Sequence, residues 1–102
     1  MIKLLVLVVA LAAGGLQAKE PSFCEQTTEL ATAIMKARQS GVPMIDLIKL
    51  SEETAAGTEM QNLIKLMVTE AYKKRAYSHK ENQDRAVVEF ANEYTLACIQ
   101  AV

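Results

Sequence analysis

The sequence lacks tryptophan altogether and has only two prolines, four glycines, three tyrosines and two phenylalanines. Because glycine and proline supply most tight turns, their scarcity argues against a turn-rich β-sandwich. Hydrophobic residues make up 51% of the chain, which excludes intrinsic disorder. A chain of 102 residues is also too short for two hydrophobic cores, so we expect one small domain.

Strong charge of either sign is also missing. Eleven Lys and Arg residues face twelve Asp and Glu residues, for a net charge of −1. Nucleic-acid binding proteins usually carry a basic excess that neutralises phosphates, so we expect no nucleic-acid partner. One histidine and two cysteines are too few for a zinc site. No glycine-rich loop is present to hold a phosphate, and we predict no metal and no cofactor.

Residues 1–18 have the pattern of a secretory signal peptide. After a short basic start, Leu4–Ala13 is an apolar run, and small residues lead to Ala18, the favoured cleavage point, with a cut near Gly15 as the alternative. The run falls short of the roughly 20 apolar residues that a membrane anchor needs. We therefore predict a periplasmic or secreted bacterial protein whose mature domain, residues 19–102, has no transmembrane anchor.

Two cysteines in a small exported domain predict one disulfide bond, Cys24–Cys98. Two buried free thiols or a redox pair are the alternatives. A redox pair usually has the spacing Cys-x-x-Cys, and these cysteines lie at opposite ends of the mature chain. The sequence therefore favours a structural bridge.

Helical periodicity and helix-capping patterns run through the mature chain. Ser22–Glu25, Thr58–Gln61 and Ser78–Glu81 have the form of a capping box. Gly41 and Pro43 are typical of a helix end followed by a helix start. We predict an all-α fold, a small four-helix domain with short turns, antiparallel neighbours, and first and last helices joined by the disulfide bond. The predicted helices span about 23–39, 43–52, 59–75 and 79–100.

Apolar residues recur three and four positions apart and define the expected core. In the first helix these are Phe23, Thr27, Leu30, Ala31, Ile34 and Ala37; in the second, Met44, Leu47, Ile48 and either Leu50 or Ile45. In the third they are Met60, Leu63, Ile64, Met67, Val68 and Ala71; in the fourth, Val87, Phe90, Ala91, Tyr94, Cys98 and Ile99. We expect the methionines to fill the core, with a methionine-rich groove for client proteins as the alternative.

Little in the sequence indicates catalysis. His79, the only histidine, has the chemistry of a general base, but it falls at the start of the fourth predicted helix, where we expect it to be exposed. Glu25 with Glu29, and Glu89 with Glu93, have the spacing of two carboxylates on one helical face and so the chemistry of a hydrolase acid and base. Solvated helix faces commonly carry such pairs. We predict that the protein is not an enzyme.

The densest positive cluster follows the third predicted helix and is flanked by tyrosines. Arginine and tyrosine are enriched at the energetic centres of binding surfaces. The alternative is that these cations complement the negative C-terminal end of that helix. The candidate binding surface comprises Tyr72, Lys73, Lys74, Arg75, Tyr77, Lys80 and Arg85.

Cys24, the segment 33–44 (AIMKARQSGVPM), Ala71-Tyr72 and the stretch from Arg85 through Phe90 to Cys98 together resemble a group of small exported two-cysteine proteins. Members of that group occur in bacterial genomes, including prophages. The resemblance covers nearly all of the mature chain and implies export and a helical fold, but no activity. A weaker similarity, in size and compartment only, is to the HdeA-type acid-stress chaperones of the periplasm.

We therefore expect an exported protein that binds another protein or an envelope component without catalysis. If the gene is carried by a phage, a role in modifying the host envelope is the natural hypothesis. The alternatives are an HdeA-like periplasmic stress chaperone, which would expose apolar surface as carboxylates protonate at acid pH, and a small hydrolase.

Overall fold

The structure, a computed structural model, describes residues 19–53 and 57–101. These residues form four α-helices and contain no β-strand, which confirms the predicted fold class. The predicted signal peptide, residues 1–18, lies outside the described residues, as do Ala55 and Ala56 of the predicted break. The helices are α1 (Lys19–Gln39), α2 (Met44–Glu53), α3 (Thr58–Tyr72) and α4 (Lys80–Ala101).

Helix α1 begins at Lys19 and not near Phe23, so Ser22 lies inside the helix and the first predicted capping box is wrong. The sequence Glu20-Pro21 predicts a short non-helical segment before the first helix, because proline breaks helices. In the first turn, however, backbone N–H groups have no intrahelical acceptor, so a proline there removes no hydrogen bond. Pro21 is the third residue of the helix and is tolerated for this reason.

The other two predicted capping residues are each displaced by one position. Helix α3 includes Thr58 as its first residue, and the N-cap is Gly57, whose φ of 102° favours glycine and which makes no side-chain capping bond. At α4, the Gln83 N–H donates to the His79 carbonyl at 2.9 Å. His79, and not Ser78, therefore holds the N-cap position.

The predicted helix end at Gly41 is confirmed. Gly41 has φ 90°, its N–H donates to the Arg38 carbonyl at 3.1 Å, and the Val42 N–H donates to the Ala37 carbonyl at 3.0 Å. This pair of bonds is the Schellman motif, which satisfies the last carbonyls of α1. Pro43 follows, and α2 begins directly after it at Met44.

The helices run alternately up and down, as expected for short connections. Helix α1 packs against α4 along most of its length and against α3 on another side, while α2 packs on α3. The buried apolar core comprises Ala31, Ile34, Met35, Met67, Val68, Ala71, Val87, Phe90 and Ala91. Leu30, Leu47, Ile48, Leu63, Ile64, Tyr72 and Tyr94 pack around it.

Most of the predicted core is therefore confirmed, and the errors fall at helix ends and on α2. Phe23 is 46% exposed and Ile99 is 55% exposed, and both lie towards the outer ends of their helices. On α2, the side chains of Ile45 and Leu50 are more than half exposed. Met35 and Met67 fill the core as predicted, whereas Met44 is exposed.

A disulfide bond joins Cys24 to Cys98, with the two Cα atoms 5.6 Å apart. The predicted pairing is confirmed, and it links the N-terminal part of α1 to the C-terminal part of α4. One turn further into the bundle, the hydroxyls of Thr28 and Thr95 form a hydrogen bond between the same two helices. Within the described ranges, no helix has the length and hydropathy needed to span a bilayer.

Reduction of the disulfide bond, or the double substitution Cys24→Ala and Cys98→Ala, should strongly destabilise the fold. Closing a loop of this length removes chain entropy worth about 4 kcal/mol from the unfolded state. For a domain of this size we expect the melting temperature to fall by about 15 °C or more. Circular dichroism melts with and without reductant measure the change, and coincident melts would contradict the prediction.

Candidate functional site

The candidate binding surface, defined as Tyr72, Lys73, Lys74, Arg75, Tyr77, Lys80 and Arg85, lies at the end of the bundle where α3 connects to α4. Helix α3 ends at Tyr72 and not near Arg75 as predicted. The segment 73–79 then crosses the C-terminal end of α1 before α4 begins. The structure thus places Lys73, Lys74 and Arg75 on a non-helical connection, where side chains of α1 determine the path of the backbone, and Lys80 and Arg85 on α4.

Gln39, the last residue of α1, holds this connection through both ends of its amide. Its Nε2 donates to the carbonyl of Arg75 at 2.7 Å, and its Oε1 accepts the backbone N–H of Tyr77 at 2.8 Å. We call this pair of bonds the Gln39 bridge. The Gln39 side chain is buried, so these bonds are shielded from competing water. They explain why α3 does not continue: the backbone groups of residues 75 and 77 are bonded to α1.

Arg38 provides a second contact from α1. Its Nε and Nη2 donate to the carbonyl of Lys74 at 3.0 and 2.8 Å, and its guanidinium lies 4.9 Å from the centre of the Tyr72 ring. A cation over an aromatic face is favourable by electrostatic attraction. No functional role is predictable for Arg38 or Gln39 from the sequence, because nothing in the pattern of α1 shows which backbone segment its polar C-terminal end will contact.

Tyr72 serves mainly to fix the fold at this end. Its hydroxyl donates a hydrogen bond to the carbonyl of Val42 in the connection between α1 and α2. Burial raises the pKa of the Tyr72 phenol, and the negative charge of Asp46 adds to this, while Arg38 acts in the opposite direction. The phenol therefore keeps its proton, and with it the hydrogen bond to the Val42 carbonyl, up to alkaline pH.

The remaining cations of the surface divide into two groups. Lys73 forms an ion pair with Glu70 at 3.3 Å, and Lys80 with Asp84 at 2.9 Å, each on or next to its own helix. Lys73, directly after α3, matches the alternative in which cations offset the negative C-terminal end of that helix, whereas Lys80 pairs within the first turns of α4. Lys74, Arg75 and Arg85 form no ion pair with another described residue. The Arg75 guanidinium lies 5.1 Å from the centre of the Tyr77 ring.

A cavity of about 240 Å³ opens beside this group of residues. It is lined by Lys74 and Tyr77 from the connection and by residues from one side of α4, with Phe90 as an apolar floor. Asn82 and the pair Glu89 and Glu93 also line it. The structure therefore brings together Lys74, Tyr77 and Arg85 of the candidate surface and adds a polar amide and two carboxylates.

Residues considered for catalysis are dispersed. His79 is exposed at the start of α4, and Glu25 and Glu29 are exposed on α1. The carboxylates of Glu89 and Glu93 are exposed at the cavity, far along α4 from His79. Within 19–53 and 57–101, no group of three or more His, Cys, Asp or Glu residues has an arrangement that would hold a metal ion.

Two apolar cavities lie on another part of the bundle, in the grooves beside α1. One, of about 260 Å³, lies between α1, α2 and α3; the other, of about 430 Å³, lies between the N-terminal halves of α1 and α3. Leu30 and Ile64 line both cavities, and Met60 lines the second. Phe23, Leu30 and Ile34 of the predicted core stripe of α1 line these cavities and are not fully covered by the neighbouring helices.

Comparison of the chain with models of protein families, with curated proteins and with solved structures gives no match.

Removal of the Gln39 bridge should cost stability. The substitution Gln39→Ala leaves the partly buried N–H of Tyr77 without its acceptor and the carbonyl of Arg75 without its donor, which costs about 1–3 kcal/mol. The matched control is Gln26→Ala, which removes an exposed glutamine from the same helix and should change the free energy of unfolding by less than about 0.5 kcal/mol. Urea unfolding measures the change in the free energy of unfolding for both substitutions. Equal changes would refute the conclusion that the Gln39 bridge stabilises the fold.

Tyr72 should contribute a pH-dependent part of the stability. Because its pKa is raised in the folded state, the unfolded chain ionises first as pH rises. Its contribution is therefore complete below the unfolded pKa, about 10, and is lost at higher pH. Tyr72→Phe should cost about 1 kcal/mol at pH 7 through the lost bond to Val42. The free energy of unfolding should also decline less steeply at alkaline pH in this variant than in the parent protein. Urea midpoints that decline in parallel for the two proteins from pH 8 to 11 would contradict this account.

Proposed function

We propose that the protein is an exported, non-catalytic binding module that recognises another protein or a component of the bacterial envelope. Its contact surface comprises the cations and Tyr77 on the connection between α3 and α4, together with the first turns of α4. A disulfide bond between the first and last helices is compatible with an oxidising compartment outside the cytoplasm.

The Gln39 bridge is the observation that supports this proposal most directly. A surface connection of seven residues usually samples several conformations, and ordering it on binding would cost entropy. Here both polar ends of Gln39, together with Arg38, bind its backbone, so the side chains of Lys74, Arg75 and Tyr77 project from a fixed frame. A partner would meet a largely preformed surface.

The unpaired cations give further support. Isolated exposed cations are common, but Lys74 and Arg85 line one cavity together with Tyr77, and the Arg75 guanidinium lies 5.1 Å from the centre of the Tyr77 ring. Arginine next to tyrosine combines a planar donor group with a rigid aromatic contact area, the composition found at the energetic centres of interfaces. A partner surface with negative charge and some apolar area would complement it.

A stress chaperone is the second candidate, and the apolar cavities beside α1 favour it. Leu30, Ile64 and Met60 offer apolar surface of the kind that binds unfolded clients, and methionine adapts to varied shapes. This candidate requires suppression of client aggregation at acid pH. Light scattering of an acid-sensitive client with and without the protein tests it, and unchanged aggregation would remove it.

Crosslinking in living bacteria followed by affinity capture from the envelope tests the binding module. The variant carries Lys73→Ala, Lys74→Ala and Arg75→Ala, which leave the backbone bonds of the Gln39 bridge intact. We expect one dominant partner with the parent protein and about tenfold less of it with the variant, since removing central contacts of an interface costs at least this much.

A matched variant controls for total charge. The control variant carries Lys36→Ala, Lys49→Ala and Lys65→Ala, which remove the same number of positive charges from positions outside the candidate binding surface. Capture should be unchanged with this control. Equal loss with both variants would indicate non-specific attraction by charge, and undiminished capture with the first variant would place the contact surface elsewhere; either result contradicts the proposal.

A further inference from the structure

The cavity beside α4 contains groups of both charge signs that the fold does not use. Among the described residues, Lys74 and Arg85 form no ion pair with a carboxylate, and Glu89 and Glu93 form none with a cation. Arg85 and Glu89 are four residues apart, a spacing that permits a helical ion pair, yet the two do not pair. Both signs of charge are thus available to a ligand in one cavity of about 240 Å³.

The charges on α4 are separated along the helix axis. Arg85 lies towards the connection between α3 and α4, and Glu89 and Glu93 follow at intervals of one turn. At a rise of about 1.5 Å per residue, the Cα atoms of Arg85 and Glu93 are about 12 Å apart. A free amino acid, whose charges are about 3 Å apart, is too short to reach both ends. Three to four extended residues, at about 3.3 Å each, match this span.

Polar groups between the charged ends suit a peptide backbone. The amide of Asn82 offers both donors and an acceptor, and no hydrogen bond to another described residue engages it. The Tyr77 ring forms one wall, and the floor is Phe90, which packs against Tyr94 with ring centres 5.1 Å apart. An aromatic floor with a few polar groups at its edges is typical of sites that bind small ligands.

We propose that this cavity binds an extended peptide segment that carries a carboxylate and an ammonium group about 10–12 Å apart. The carboxylate lies at the Arg85 end and the ammonium at the Glu93 end. This inference rests on the proposed function and specifies the class of partner: a segment bearing both charges, and not merely an acidic surface.

Titration of the full mature domain with short peptides, followed by ¹⁵N–¹H NMR, tests the inference. The probe is a pentapeptide with blocked ends, aspartate first, lysine last and three alanines between, so that in an extended chain both charged side chains lie on the same face. Two further probes replace aspartate by asparagine or lysine by glutamine. We expect shifts confined to the cavity, and affinity about three- to fivefold weaker for each neutralised probe, as for partly exposed charge pairs.

Variants identify which end of the cavity binds each charge. With Arg85→Gln, the aspartate and asparagine probes should bind equally, while the preference for lysine remains. With Glu93→Gln, the lysine preference should vanish and the aspartate preference should remain. Lys49→Gln, which removes an exposed cation on α2 outside both the candidate binding surface and the cavity, should preserve both preferences.

Equal affinity for all three probes, or no shifts at the cavity, would overturn the peptide inference. If capture from the envelope still depended on Lys73, Lys74 and Arg75 in that case, the proposed binding function would stand with a partner of different chemistry. Loss of discrimination at both ends in the Lys49→Gln variant would also overturn the inference, because the charges would then act at long range and not by contact.

Discussion

The antiparallel packing of α1 against α4 is the contact on which the rest of the structure depends. At one end, Cys24–Cys98 joins the two helices covalently; in the middle, residues such as Ile34 and Phe90 form the core. At the other end, α1 finishes beside the connection that leads into α4, so Gln39 meets the backbone of Arg75 and Tyr77. The same pairing thus stabilises a small domain and orders the surface to which we assign binding.

The sequence was sufficient to predict the four helices, their order and the disulfide pairing. Periodicity identified core residues such as Ile34, Met67 and Phe90 because burial against neighbouring helices repeats every three to four residues. Gly41 was predictable because its positive φ suits glycine at a helix end. Capping boxes were less reliable, because the N-cap positions predicted for Thr58 and Ser78 are held by Gly57 and His79. Local propensity therefore predicts a helix start only to within a few residues.

The candidate binding surface was predictable as a cluster of cations and tyrosines, but its organisation was not. Which cations pair with neighbours, as Lys73 and Lys80 do, depends on side-chain geometry. The Gln39 bridge joins residues 36 and 38 positions apart, and such contacts leave no mark in local periodicity. The cavity beside Arg85 forms where the connection held by this bridge meets α4. Glu89 and Glu93 were identified as a pair, but only the fold places them beside Lys74 and Tyr77.

Native-state hydrogen exchange at the amide of Tyr77 tests most directly whether α1 fixes this surface. That amide donates to Gln39, whereas the neighbouring amide of Ala76 forms no hydrogen bond within the described residues and serves as an internal control. We predict exchange at Tyr77 at least about a hundredfold slower than in an unstructured peptide, with Ala76 much faster. Exchange at Tyr77 as fast as at Ala76 would show that the connection is mobile and would contradict the account.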